Sequence, residues 1–130
     1  MTYIKILYVE DEPDIRNIAK IALESLGDFI VYECSSGLEA LKTVATMQPD
    51  LLILDVMMPG MNGLETLEKL RELPQTAQTP ALFKTAKVQS GEIQDYLATG
   101  ALDVIAKPFN PMELPGQIQA IWDQHARKSA

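Results

Sequence analysis

Five short apolar runs, each bounded by turn signals and each followed by a helical pattern, constrain the fold of this chain more than any other feature. The runs are Ile4 to Val9, Phe29 to Cys34, Leu51 to Leu54, Ala81 to Lys84 and Leu102 to Ala106. Their length and largely apolar make-up predict strands, and the unbroken apolar run Leu51 to Leu54 predicts one buried on both faces. Pro13 suits the first turn of a helix that Asp11 or Glu12 can cap, and Ile15, Ile18, Ala19, Ala22, Leu23 and Leu26 recur at helical spacing until Gly27. Ser35-Ser36-Gly37 opens a second helix running to Met47 on a stripe of Ala40, Leu41, Val44 and Ala45. A third starts near Leu64, continues through Leu67 and Leu70, and stops before Pro74.

The fourth helix, Gln89 to Thr99, holds Ile93, Tyr96 and Leu97 on one side and is the weakest, because Gly91 lies inside it and its stripe is thin. Asn110-Pro111 reads as an N-cap followed by a first-turn proline, and Leu114, Ile118, Ile121 and Trp122 mark a last helix. Pro115 predicts a tight first turn with a restart or kink near it, since it lacks an amide donor. Strands joined through helices must lie parallel, with right-handed crossovers placing helices on both faces. The expected fold is therefore a doubly wound α/β sandwich.

A chain of 130 residues has room for one core, and 47% hydrophobic with 22% charged residues is ordinary globular composition. One domain, 1–130, with no effector domain attached, is expected. The net charge of −7 repels nucleic acid and anionic membranes and favours basic or neutral protein partners. No apolar run approaches the ~20 residues that span a bilayer, and Met1-Thr2-Tyr3 leads into the first strand without a signal-peptide pattern. A cytoplasmic location follows as an expectation, in keeping with a single cysteine, Cys34, which reads as a small core residue.

Chemistry gathers where the strands end. The first strand delivers Glu10 and Asp11, the third Asp55, the fourth Thr85 and the fifth Lys107, while the second delivers no such group. After Asp55, Pro59, Gly60, Asn62 and Gly63 force a loop. In a parallel sheet these ends share one edge, and ligands bind there at the topological switch point, here between strands one and three. Three carboxylates in one crevice require a raised pKa, a nearby ammonium or a bound cation. Lys107 provides one charge and an oxygen-ligated Mg²⁺ would provide two more, with positions left open for phosphate oxygens. Asp55 is then a carboxylate nucleophile able to accept a phosphoryl group, and Lys107 and Thr85 would hold the transferred oxygens.

Glu10-Asp11-Glu12-Pro13, Ile53-Leu54-Asp55 with Met58-Pro59-Gly60-Met61-Asn62-Gly63, Thr85-Ala86 and Lys107-Pro108-Phe109, in this order, resemble the receiver domain of two-component response regulators over essentially the whole chain. The resemblance implies the flavodoxin-like strand order 2-1-3-4-5 in a (βα)5 sandwich. It implies that Asp55 is the phosphoacceptor and that Glu10, Asp11, Asp55 and the Met57 carbonyl bind Mg²⁺, with Mn²⁺ able to substitute. Thr85 corresponds to the switch hydroxyl, Lys107 to the lysine that grips the phosphoryl group, and the Lys107-Pro108 bond is expected to be cis. The implied partners are a sensor histidine kinase or phosphotransfer protein and a downstream protein. Such a module is not a conventional enzyme, although it promotes its own phosphorylation and slow dephosphorylation.

Three positions depart from that pattern. Val104 stands where receivers usually carry an aromatic residue that rotates inward with the switch hydroxyl, Lys84 interrupts an otherwise apolar strand, and Pro115-Gly116 falls in a helix that commonly forms output surface. Together they predict an unusual output face. An aspartate-nucleophile phosphohydrolase would share Asp55, Thr85, Lys107 and the metal, but it typically needs a second aspartate where this chain has Met57. A flavodoxin-like cofactor binder would have its phosphate repelled by Glu10-Asp11-Glu12, and a receiver-fold scaffold with switching impaired at Val104 is a further alternative. His125 is expected to be solvated, Met58 and Met61 to pack beneath the loop, and Trp122 to face the core.

Overall fold

The computed structural model describes residues 3–86 and 89–129, so the reading of Met1 and Thr2 lies outside the described residues. Five strands alternate with five helices: β1 Ile4–Val9, α1 Pro13–Leu26, β2 Phe29–Cys34, α2 Gly37–Thr43, β3 Leu51–Asp55, α3 Gly63–Arg71, β4 Ala81–Thr85, α4 Ser90–Ala98, β5 Asp103–Ala106 and α5 Leu114–Ser129. All strand pairs are parallel, as the alternation predicts, and the order across the sheet is β2-β1-β3-β4-β5, the one that the resemblance implies. The chain reverses its winding between β1 and β3, which opens the crevice at their carboxyl ends.

Strand periodicity divides the interior into two cores. Leu7, Val9, Leu52, Leu54, Ala81 and Phe83 face one way and pack with Ala40 of α2, Val44 at its C-cap, Leu67 and Leu70 of α3 and Tyr96 of α4. Ile6, Tyr8, Leu51, Ile53 and Leu82 face the other way, toward Ala19 and Leu23 of α1 and Leu114 and Ile118 of α5. Every residue of β3 and β4 is buried, as strands covered on both faces must be.

Several helix details differ from the sequence reading. Helix α2 ends at Thr43, not Met47, because Ala45 and Thr46 donate to carbonyls three residues back and tighten the last turn. Glu12 occupies the N-cap of α1 without a side-chain cap, and its amide instead donates to Glu10 Oε2. Ile18 and Leu26, expected on the inner stripe of α1, are exposed, as is Leu97 of α4. Pro115 causes no mid-helix break: residues 111–113 form a turn, Asn110 Oδ1 accepts from the Met112 amide, and the helix begins at Leu114, leaving Pro115 in the first turn where no donor is required. Trp122 packs against the second core, and His125 is half-buried beside its ring, 6.1 Å between centroids, rather than fully solvated. Cys34 is buried, with Sγ 3.4 Å from Thr43 Oγ1.

Candidate functional site

The register of the sheet decides which groups meet. Val9 pairs with Leu54, so one residue further Glu10 comes level with Asp55, and Asp55 is itself paired with Lys84. Lys84 in turn pairs with Ile105 on β5. One rung of the sheet thus carries Glu10, Asp55 and Lys84 side by side, all on the face of the α1 and α5 helices by strand parity. Glu10 and Asp55 are 0% and 1% exposed, and Lys84 is 1% exposed. Charges are this deeply buried only when they are paired.

Lys107 closes the rung from above. The chain leaves β5 through a cis Lys107-Pro108 bond, and the Lys107 amide donates to the Thr85 carbonyl at 2.9 Å. From there Lys107 Nζ donates to Asp55 Oδ2 at 2.7 Å and lies 3.0 Å from Glu10 Oε1. The other Asp55 oxygen, Oδ1, accepts from the Met57 amide at 3.2 Å, where the loop turns away from β3. That loop is pinned by the Gly63 amide, which donates to the Val56 carbonyl at 3.0 Å, and α3 then begins in a capping box between Asn62 and Glu65. Met58 is buried in the first core beneath the loop, while Met57 is exposed.

Carboxylate oxygens of Glu10, Asp11 and Asp55 can all lie within 4.8 Å of one another, a spacing suited to one shared cation. A second observation points the same way. Glu10 Oε1 is buried with no hydrogen bond of acceptable alignment, although two ammonium groups lie nearby, and it is turned toward this cluster. Oxygen donors of this kind fit a hard divalent ion such as Mg²⁺. Thr85, wholly buried at the end of β4, shares the parity of Phe83 and so belongs to the opposite face from Lys84. The structure therefore brings Glu10, Asp11, Asp55 and Lys107 into one cluster, with Thr85 and the Met57 backbone at its margin.

Electrostatics within the cluster are asymmetric. Burial, then hydrogen bonding and charge repulsion from Glu10, push the Asp55 carboxyl up to about 6 against the pull of Lys107. Burial also pushes Glu10 upward, but its close contacts with Asp55 and Lys107, the hydrogen bond it accepts from the Glu12 amide and the charge of Lys84 outweigh this and hold it below the usual carboxylate range. Burial drags Lys107 downward, and its bonds to Asp55 and Glu10 more than restore it. The two acids consequently titrate as a pair, with the shared proton favouring Asp55.

Sequence reasoning missed Lys84 as a member of this site. It was expected to alter an output face, yet its ammonium points inward, donating to the Tyr8 hydroxyl and lying 3.6 Å from Glu10 Oε1. The rings of Tyr8 and Phe109 flank it, with centroids 4.6 and 4.3 Å from Nζ. Burial pulls its pKa down to about 8, opposed by Glu10. A usable signal was present: a lysine in an otherwise apolar run, one residue before Thr85, needs an acid beside it if the strand is buried. Val104 is half-buried and pairs with Phe83, whose ring meets that of Tyr96 on α4 at 5.8 Å.

Residues 6–119 match the family model of the response regulator receiver domain. Among relatives of known name, the alkaline phosphatase synthesis transcriptional regulatory protein PhoP of Bacillus subtilis is 40% identical over 117 residues, covering 90% of this chain and 48% of that protein. The phosphate regulon transcriptional regulatory protein PhoB of Rhizobium meliloti is 39% identical over 117 residues, again 90% of this chain and 51% of the relative. The chain thus spans about half the length of these two regulators. Among solved structures, the chemotaxis response regulator CheY4 of Vibrio cholerae superimposes with a TM-score of 0.84 at 32% identity, covering 92% of this chain and 99% of that one. A CheY-like receiver domain protein of Methanospirillum hungatei gives 0.83 at 27% identity over 98% of this chain and 99% of that one. With the fold, the acidic strand ends and the family model in agreement, this chain belongs to the response regulator receiver domains, the phosphoacceptor signalling modules of two-component systems.

Proposed function

We propose that Asp55 accepts the phosphoryl group, donated by the phosphohistidine of a histidine kinase or phosphotransfer protein. An Asp55 carboxylate oxygen forms a bond to phosphorus as the bond from phosphorus to the histidine nitrogen breaks, and the imidazole leaves with the electron pair. The observation that carries this reading is the setting of Asp55. It is a buried carboxylate at a strand end, held 2.7 Å from Lys107 and clustered with two further acids. Phosphoryl transfer has a loose transition state, so positioning and charge neutralisation do most of the work and few groups suffice.

Glu10, Asp11, Asp55 and the Met57 carbonyl would hold Mg²⁺, which would screen the repulsion between Asp55 and the incoming phosphate. Lys107 already neutralises Asp55 Oδ2 and, with the Thr85 hydroxyl, would take phosphoryl oxygens once the acid has reacted. Output is assigned to altered protein binding as Thr85 and Val104 respond to the new group. Beside Lys107, a largely apolar groove lined by Ile15, Ile18, Pro108, Phe109 and Pro111 leads to the site and suits the apolar face of a helix from the phosphodonor.

The test uses acetyl phosphate with MgCl₂. The chain should acquire one phosphate, removable by hydroxylamine as an acyl phosphate requires, and chelation should abolish labelling. Persistence of the hydroxylamine-sensitive label in Asp55→Asn would overturn the assignment.

A further inference from the structure

The charged rung of the sheet contains a cation that the transfer chemistry does not need. Lys107 reaches the acids from the loop side and is about one-sixth exposed, with a side-chain accessibility of 16%. Lys84 reaches them from inside the sheet, with a side-chain accessibility of 1%. A surface lysine would snorkel to water, but this one is enclosed by the Tyr8 and Phe109 rings, the Tyr8 hydroxyl and the Glu10 carboxylate. The cost of burying an ammonium is large, and only a fixed charge partner offsets it. Glu10 is that partner, and Glu10 is also one of the three acids grouped at cation-binding distance.

The charge arithmetic changes accordingly. Glu10, Asp11 and Asp55 bring three negative charges, and Lys107 alone would leave two uncompensated. With Lys84 only one remains. Glu10 Oε1 faces both ammonium groups, so its charge is already shared before any divalent ion arrives.

We infer that Lys84 is a built-in counter-cation of the acidic site, a positioning residue that holds Glu10 from the sheet side and weakens the binding of the divalent ion there. This rests on the acid cluster being the divalent-ion site of the receiver. Two consequences follow from the placement. The folded chain keeps its acids together without Mg²⁺, and it takes Mg²⁺ with lower affinity than it would if an apolar side chain stood at position 84.

The test measures MgCl₂ binding to the whole chain by isothermal titration calorimetry at constant ionic strength, for wild type, Lys84→Met and Lys84→Gln. Both variants remove the charge, one keeping an unbranched apolar stem and the other keeping hydrogen-bonding capacity. A unit charge a few ångströms from a divalent ion acts strongly at an effective dielectric near 20, and after relaxation a tightening of about tenfold is expected in both variants. Unchanged or weaker Mg²⁺ binding in the pair would overturn the inference. Should either variant lose its fold in EDTA, urea titrations with and without MgCl₂ decide the matter. Recovery of wild-type stability by Mg²⁺ supports a counter-cation, and failure to recover marks Lys84 as packing alone. A wild type that binds Mg²⁺ and is phosphorylated, yet shares its affinity with both variants, defeats the role of Lys84 and leaves the receiver reading intact. A wild type that takes no Mg²⁺ defeats both.

Discussion

Asp55 sits in an environment that resists its ionised form, and this has a measurable sign. Its pKa is raised from 3.8 to about 6, chiefly by burial and then by Glu10, so the folded state holds the proton more tightly than the unfolded chain does. The stability this contributes is present in full below pH 3.8 and is lost as pH rises through about 6. Without divalent ion at pH 7.5, Asp55→Asn should therefore be more stable than wild type by about 1 kcal/mol, a figure below the full linkage value because Lys107 also loses its partner. The advantage should shrink as pH falls toward 4.5. Urea denaturation in EDTA at the two pH values checks this, and an equal advantage at both would show that charge on Asp55 is not its origin. At this scale the sequence was informative where a residue type broke its surroundings: acids at strand ends and a lysine after β5 stood out. The direction in which Lys84 points was not readable, because strand parity assigns a face but not the partner, and its partner Glu10, just past the end of β1, is brought beside it only by the register of the folded sheet.

Elements set the precision of the site, and the junction of β3 with α3 sets most of it. The Gly63 amide is bonded to the Val56 carbonyl, and a Cβ at position 63 would overlap the Asp55 carbonyl oxygen and lie 3.0 Å from Val56 Cα. Backbone atoms cannot swing aside as a flexible side chain can, so the helix start and the end of the strand touch directly. Gly63→Ala should cost about 2 kcal/mol or more and displace Asp55 from Lys107, lowering the rate of acetyl phosphate labelling more than it lowers Mg²⁺ affinity, because Glu10 and Asp11 follow β1, away from this junction. Thermal unfolding together with labelling rates would decide this, and a fully labelled, fully stable Gly63→Ala chain would refute the close approach. Element types and the sheet architecture were legible because apolar runs and helical stripes repeat cleanly. Ends were less so. Helix α2 stopped early by tightening its last turn, and the outer faces of Ile18 and Leu26 escaped the stripe argument, since an apolar residue at helical spacing can extend a stripe beyond what the sheet covers.

For the molecule as a whole, one sheet couples the site to everything else. The two cores lie on opposite faces of the same five strands, and the acidic cluster closes the edge between them, so binding there should be felt in global unfolding. No helix among the described residues is long and apolar enough to cross a membrane, and a domain of this size generally unfolds in one cooperative step. Any ion that binds only the folded state then stabilises it by mass action, by about 1.4 kcal/mol for each tenfold excess over its dissociation constant. The net charge of −7 complicates the reading, because any salt also relieves general self-repulsion. The two contributions separate when MgCl₂ is compared with NaCl of equal ionic strength: screening acts in both, whereas occupation of the cluster acts only in the first. We expect the urea midpoint to rise with MgCl₂ well beyond its rise with NaCl, with an unchanged slope, since the surface exposed on unfolding stays the same. In Glu10→Gln most of the Mg²⁺-specific part should vanish while the screening part survives, because a carboxamide keeps the shape of the buried side chain and removes its charge. If the two salts give the same midpoint in wild type, the acidic cluster is not a divalent-ion site in this chain, whatever its geometry suggests.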